Sequence, residues 1–187
     1  MQRDAEDRML YEWIALRCQA GEAEAFEDLV AAMEKPLLYY AASLTGNADS
    51  RLDVLQEVWI KAFRGISKLR DPGALRSWLY TITHGIAVDR IRHNSSRERA
   101  ESVELEDFQE ADEPSFADED AAEVHQTLGE LGIKHREVLV LHFLEDLSIE
   151  EIAKVVGCSV GTVKSRMHYA KRAMREILGG EDYGKRK

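Results

Sequence analysis

Residues 147–174, LSIEEIAKVVGCSVGTVKSRMHYAKRAM, carry the signals on which the fold turns. Ser148 stands three positions before Glu151, the spacing of a capping box in which each side chain accepts the other residue's backbone N–H. Leu147 and Ile152 hold the staple positions around that cap. Ala153 is small enough to let a second helix cross closely, and Gly157 supplies the left-handed conformation that ends a first helix. Ser159 restarts the chain as the next N-cap. The stretch reads as helix, short turn, helix.

At about 100° per residue, Val163, Met167, Ala170 and Met174 fall on one apolar stripe of the second helix. Gly161, Ser165, His168 and Arg172 point the other way, with Thr162 and Lys164 flanking them. From Ser159 to Arg175 there are five bases, Lys164, Arg166, Lys171, Arg172 and Arg175, and no acid. A core helix needs the stripe but not an acid-free basic exterior, which is what phosphates attract. Small polar residues at the start of such a helix suit a major groove, and Gly161 allows close backbone approach. His142, just ahead of the module, is a candidate extra phosphate contact.

Upstream the chain has a different balance. The formal net charge is −10, yet the segment Glu101–Glu123 alone holds eleven acids and no Lys or Arg, which leaves the rest near neutral at +1. That run, sparse in large apolar residues and broken by Pro114, has linker composition. Prolines number three in 187 residues and alternating β-branched runs are scarce, so the chain reads as all-helical. Helical patterns cover about Asp4–Gln19, Glu22–Leu44, Asp49–Ile66 and Gly73–His93, and resume near Asp120, with Pro36 expected to kink or divide the second. The expected architecture is all-α: two small helical domains, 1–96 and 122–187, joined by a flexible acidic linker at 97–121.

Cys18 and Cys158 are too far apart in sequence and too embedded in helix and turn patterns to suggest a disulfide framework or a zinc site. No run of apolar residues is long enough for a membrane span, and the N-terminal MQRDAEDRML is too acidic for a signal peptide. The expectation is a soluble, cytoplasmic protein with no membrane insertion and no cofactor.

In the first block, Leu52, Leu55, Trp59, Phe63 and Ile66 recur at helical spacing, as do Trp78, Ile82 and Ile86, which predicts an aromatic-rich core. Asp53, Gln56 and Glu57 share a polar helix face. In LRSWLYTITHGIAVDRIRH, Trp78, Tyr80 and His84 are followed by Arg90, Arg92 and His93, with Arg97 and Arg99 behind. Aromatics interleaved with bases are what is needed to hold unstacked nucleobases while neutralising their phosphates.

These parts together resemble the extracytoplasmic-function group of bacterial sigma factors, within the sigma-70 family. AFEDLVAAMEKPLLYYAASLTG, DVLQEVWIKAFRGI and SWLYTITHGIAVDRIR are similar to its promoter-melting domain, and LGELGIKHREVLVLHFLEDLSIEEIAKVVGCSVGTVKSRMHYAKRAM to its second domain. The resemblance implies that Asp53, Gln56 and Glu57 meet the clamp helices of core RNA polymerase, with the flap as a further contact. It implies that Arg76–Arg92, including Trp78, Tyr80, His84 and Arg90, recognises and opens the minus-ten element. It implies that Ser159, Lys164, Ser165, His168 and Tyr169 meet minus-thirty-five promoter DNA, beside Thr162 and Arg172, and that an anti-sigma factor controls the chain. One departure stands out. Many members carry Ala-x-Asn after the Trp-Leu-Tyr motif, whereas this chain has Thr83, His84 and Gly85, so either a neighbour such as His84 replaces the Asn or the minus-ten preference differs.

An enzyme is not indicated: the six histidines form no HExxH, and there is no phosphate-cradling glycine loop or nucleophile elbow. The competing reading is a self-sufficient helix-turn-helix regulator with an N-terminal sensor or dimerisation domain. Such a domain gives no reason for bases and aromatics in both blocks, whereas recognition of two promoter elements does. The acidic run has its own two readings, as a tether in the polymerase channel that later holds RNA or as a polyanion folded on the chain's own basic faces.

Overall fold

The computed structural model describes the backbone over residues 2–45, 48–100 and 119–178, and the side chains over 7–45, 51–93 and 124–178. These residues form eight α-helices and no strand. The contacts divide the chain into two compact units, the bulk of the first being Met1–Gln109 and of the second Glu110–Ala153 with Gly157–Lys187.

The first unit contains α1 (Gln2–Gln19), α2 (Ala23–Thr45), α3 (Ala48–Gly65) and α4 (Leu75–Ala100), with 3₁₀ turns at Ile66–Lys68 and Pro72–Ala74 between the last two. Gly21, at φ +85°, takes the left-handed conformation that reverses the chain after α1. Arg17 then reaches Glu22 at 2.7 Å and Asp28 at 2.8 Å, fastening α1 to the start of α2. Gln19 donates to the carbonyls of Ile66 (3.1 Å) and Leu69 (2.7 Å), which ties the same helix end to the first 3₁₀ turn. Asp71 caps the second turn by accepting from the Gly73 N–H at 3.1 Å.

Helices α2, α3 and α4 pack pairwise around one core, and α1 lies against α2, α4 and the two turns. Pro36 does not divide α2, which runs unbroken from Ala23 to Thr45. The ring removes one helical hydrogen bond, but the burial of Met33, Leu37 and Tyr40 on both sides of it holds the helix together.

The expected apolar stripe of α3 needs correction. Leu55 and Ile66 are buried, but Leu52 is 53% and Phe63 68% exposed, and Trp59 is only half-buried. The buried stripe is Val54, Leu55, Val58 and Ala62. Smaller side chains let α3 approach two neighbours at once, and the larger apolar ones are left outside. On α4 the core residues are Leu75, Leu79, Tyr80, Thr83, Ile86 and Ala87, while Trp78 and Ile82 are half-buried. Trp78 lies over Gly65, where a Cβ would come within 2.9 Å of the indole; that approach requires glycine.

The second unit contains α5 (Glu119–Glu130), α6 (Ile133–Leu139), a π-helical turn at Val140–Leu144, α7 (Ile149–Val155) and α8 (Val160–Ile177). Helices α5 and α6 pack on α8. The wide turn closes with the Glu145 N–H on the Val140 carbonyl at 3.1 Å, and Asp146 follows at φ +48°, a conformation Asp tolerates better than most residues. The capping box then forms as the spacing requires: the Ser148 N–H donates to Glu151 at 2.9 Å and the Glu151 N–H to Ser148 Oγ at 3.2 Å. Leu147 and Ile152 are buried, Gly157 has φ +63°, and Ser159 Oγ accepts the Thr162 N–H at 3.1 Å.

Most of the acidic segment read as a linker over 97–121 lies outside the described residues, with α4 continuing to Ala100 and α5 beginning at Glu119. Arg97 and Arg99 fall in α4, their side chains outside the described set. Among the described residues no helix is long and apolar enough to cross a membrane.

Candidate nucleic-acid interface

Helix α8 separates its two faces cleanly. Val163, Met167 and Ala170 are buried, Met174 is half-buried, and Ser159, Gly161, Thr162, Lys164, Ser165, His168, Tyr169 and Arg172 are exposed. His168 and Tyr169 stand edge to face at 5.5 Å between ring centroids. Two of the polar groups are already in use. Ser159 Oγ lies 2.9 Å from Thr162 Oγ1 as well as capping the helix, and Arg172 Nε donates to Glu176 at 2.8 Å. That hydrogen bond holds the Arg172 guanidinium above its ordinary pKa. Glu176 lies one residue beyond the acid-free window, which is why the charge count missed it.

His142 is not simply turned toward solvent. Its Nδ1 lies 3.0 Å from the Leu147 carbonyl, an acceptor only, so Nδ1 is the donor. That hydrogen bond fastens the loop that carries the capping box.

In the first unit the expected residues part company. Tyr80 is fully buried and packs edge to face on Tyr40 at 5.4 Å, so as folded it belongs to the core and presents no ring to a nucleobase. His84, half-buried, has Nδ1 3.4 Å from Tyr40 Oη. Trp78 and Arg76 are half-buried, the latter's guanidinium 5.2 Å from the Tyr11 ring centroid. Arg92 is exposed, with Asp89 at 3.7 Å, and Arg90 donates across to Asp53 on α3 at 2.7 Å. Gly85 is exposed, and a Cβ built there meets nothing within 4 Å.

On α3, Asp53 and Gln56 are exposed and Glu57 pairs with Lys61 at 2.9 Å. Beside them the sequence reading missed an apolar surface. Ile60 is 51% exposed, like Leu52 and Phe63, and Phe26 of α2 packs edge to face on Phe63 (5.2 Å) and Trp59 (6.0 Å). The signal was present as an excess of large apolar residues over what one stripe can bury. The second unit hides another: a groove of about 380 Å³ between α5, the π-helical turn and α8, floored by Leu128, Leu139 and Met174 and edged by Phe143, Lys171 and Arg175. Lys171 Nζ sits 4.9 Å from the Phe143 ring centroid.

Burial pushes the Cys18 thiol above its ordinary pKa, which keeps it protonated and unreactive. Two helical units, one offering aromatics and arginines beside an acidic and apolar helix face, the other a capped helix-turn-helix with a basic exterior, define a two-module transcription protein.

Comparison with known families supplies the particular kind. Residues 29–97 match the model of sigma-70 region 2 and residues 121–174 that of sigma-70, region 4. The RNA polymerase sigma-H factor of Pseudomonas aeruginosa is 34% identical, over 92% of this chain and 94% of its own. The sigma factor SigV of Bacillus subtilis is 33% identical, over 76% of this chain and 84% of its own. Among solved structures, CnrH in complex with the cytosolic domain of CnrY superposes with a TM-score of 0.65 at 25% identity, covering 92% of this chain and 99% of that one. RpoE of Bartonella quintana in complex with the anti-sigma factor NepR shares the fold, with a TM-score of 0.71 at 24% identity over 85% of this chain and 99% of its own. The chain belongs to the sigma-70 family, in its extracytoplasmic-function group. It binds core RNA polymerase and promoter DNA, directs promoter-specific transcription initiation and is not an enzyme.

Proposed function

We propose that the two units divide this task by residue, with 1–96 acting at the minus-ten element, 122–187 at the minus-thirty-five element and 97–121 as the acidic connection. Asp53, Gln56 and Glu57, with the neighbouring apolar Leu52, Ile60 and Phe63, meet the clamp helices of polymerase. Arg76, Trp78, His84, Arg90 and Arg92 follow the strand opened at minus ten, a base leaving the stack being held by aromatic and hydrogen-bond contacts. Ser165, His168 and Tyr169 read the minus-thirty-five major groove, while Lys164 and Arg172 meet phosphates and Ser159 with Thr162 presents the helix N-terminus. His142 supports the reading module from behind. The apolar groove of the second unit is the surface offered to the polymerase flap.

The observation that carries this reading is the face of α8: a buried Val163, Met167 and Ala170 opposite an exposed Lys164, Ser165, His168 and Tyr169. A helix packed for structure alone has no need of that second row. CnrH is in complex with the cytosolic domain of CnrY, and RpoE of Bartonella quintana with the anti-sigma factor NepR. By analogy we assign this chain an anti-sigma partner that covers its polymerase-binding surfaces, and a cytoplasmic place of action.

Run-off transcription on a genomic fragment library, with the chain added to core polymerase, tests the whole. Specific initiation with core enzyme, and little promoter affinity for the chain alone, is expected. At the residue level, Trp78→Ala is expected to impair strand opening, followed by permanganate reactivity of thymines, while leaving duplex promoter binding by the holoenzyme nearly intact. Equal opening by the variant removes Trp78 from the site.

A further inference from the structure

Several candidate DNA-facing arginines of this chain hold a carboxylate, but the pairs are of two kinds. Arg172 with Glu176 and Arg92 with Asp89 are neighbours on one helix, one turn apart. Arg90 with Asp53 joins α4 to α3 across 37 residues of sequence, at 2.7 Å, the side chains 29% and 62% exposed. Its two members belong to two different surfaces, because Asp53 lies on the face assigned to polymerase and Arg90 on the helix assigned to the promoter strand.

We propose that this pair links the two binding events: in the free chain Asp53 neutralises Arg90, and when a cationic group of the polymerase takes the Asp53 carboxylate, Arg90 is released to a promoter phosphate. The proposal rests on the residue assignments given above. Three physical points carry it. A guanidinium forks onto a carboxylate or a phosphate with the same planar geometry, so the exchange needs no new conformation beyond a side-chain swing. An exposed pair of this kind is weak, so either partner gives it up cheaply. Arg90 is less exposed than Asp53, so an approaching protein reaches the acid first. The consequence is a chain whose DNA-binding charge rises on assembly, in keeping with a protein that should engage promoters only with polymerase.

The test uses the full chain and a fluorescein-labelled oligo-dT strand, with binding followed by anisotropy across a salt series. Asp53→Asn is expected to raise the affinity of the free chain roughly two- to fivefold. It is also expected to steepen the dependence of log K on log salt by about 0.7, the increment for one added phosphate contact on a single strand. Glu34→Gln, which makes the same charge change at an exposed site on α2, is expected to leave that slope alone. Adding Arg90→Gln to Asp53→Asn is expected to abolish the gain. A slope for Asp53→Asn equal to that of Glu34→Gln, or a gain that survives in the double variant, overturns the proposal. In the holoenzyme, Arg90→Gln is expected to lower the salt slope of open-complex formation by about 0.7, the same single-strand increment, and no change there overturns the release step. Binding of Asp53→Asn to core polymerase is measured separately. Undiminished core binding removes the polymerase assignment of Asp53, and the release step with it, even where strand binding has risen.

Discussion

Helix α8 in the second unit and helix α3 in the first are both 18 residues long, yet they distribute apolar residues in opposite ways. On α8 one stripe, Val163, Met167 and Ala170, is buried and the reading face is polar. On α3 the buried stripe is made of Val54, Leu55, Val58 and Ala62, while Leu52, Ile60 and Phe63 remain outside. The difference is in keeping with the partners proposed for each helix. A helix bound for a DNA groove needs donors and small side chains outside, whereas one bound for another protein's helices needs apolar surface outside as well as inside. The same contrast holds for aromatics: Tyr169 is exposed on α8, whereas Tyr80, in a motif that reads as base-holding, is part of the α2–α4 core.

Substitutions can break or sharpen this comparison, and the tryptophans make it measurable by unit, since Trp13, Trp59 and Trp78 all lie in the first. The largest effect is expected from Tyr80→Ala, which should destabilise the first unit by about 3–5 kcal/mol, the usual loss for truncating a large buried aromatic. A shift of the tryptophan-fluorescence transition in urea would register it; an unshifted midpoint would return Tyr80 to the surface. Ser159→Ala should cost the second unit about 1 kcal/mol through loss of the α8 cap. That loss belongs in the helical circular dichroism, with the tryptophan transition unmoved.

Lys164→Gln should act on binding and not on folding. It is expected to weaken holoenzyme binding about equally across promoter sequences and to flatten the salt dependence by about 0.9 in log–log slope. Sequence-selective weakening would instead make Lys164 a base reader. The smallest free-energy change is expected from Gly85→Asn, a gain in stability of a few tenths of a kcal/mol from helix propensity, since the new side chain meets open space. Its interest lies in function: an altered minus-ten preference in run-off transcription would place position 85 in the base pocket, and an unaltered one would leave that role to a neighbour such as His84.

The second unit was legible almost residue by residue. Its caps, its turn glycine and the two faces of α8 are local features, decided within four residues of each other by hydrogen-bond reach and helical period. What was missed there depends on groups just outside the window or on backbone detail: Glu176 beside Arg172, and the π-helical turn that lets His142 hold the Leu147 carbonyl. In the first unit the helices themselves were legible, but not which side of each faces inward. Periodicity finds an apolar stripe; it does not choose between two when a helix has apolar residues on both sides, as α3 does.

Sequence alone therefore determined that the chain is helical, that it carries a helix-turn-helix with a basic exterior, and that it resembles the family to which it belongs, because propensity, capping and charge are written locally. Only the tertiary structure decided that Tyr80 is core, that Phe63, Ile60 and Leu52 are surface, and that Arg90 of one helix holds Asp53 of another. Those outcomes depend on which helices compete for the same interior volume, and on groups that are distant in the chain and adjacent in the fold.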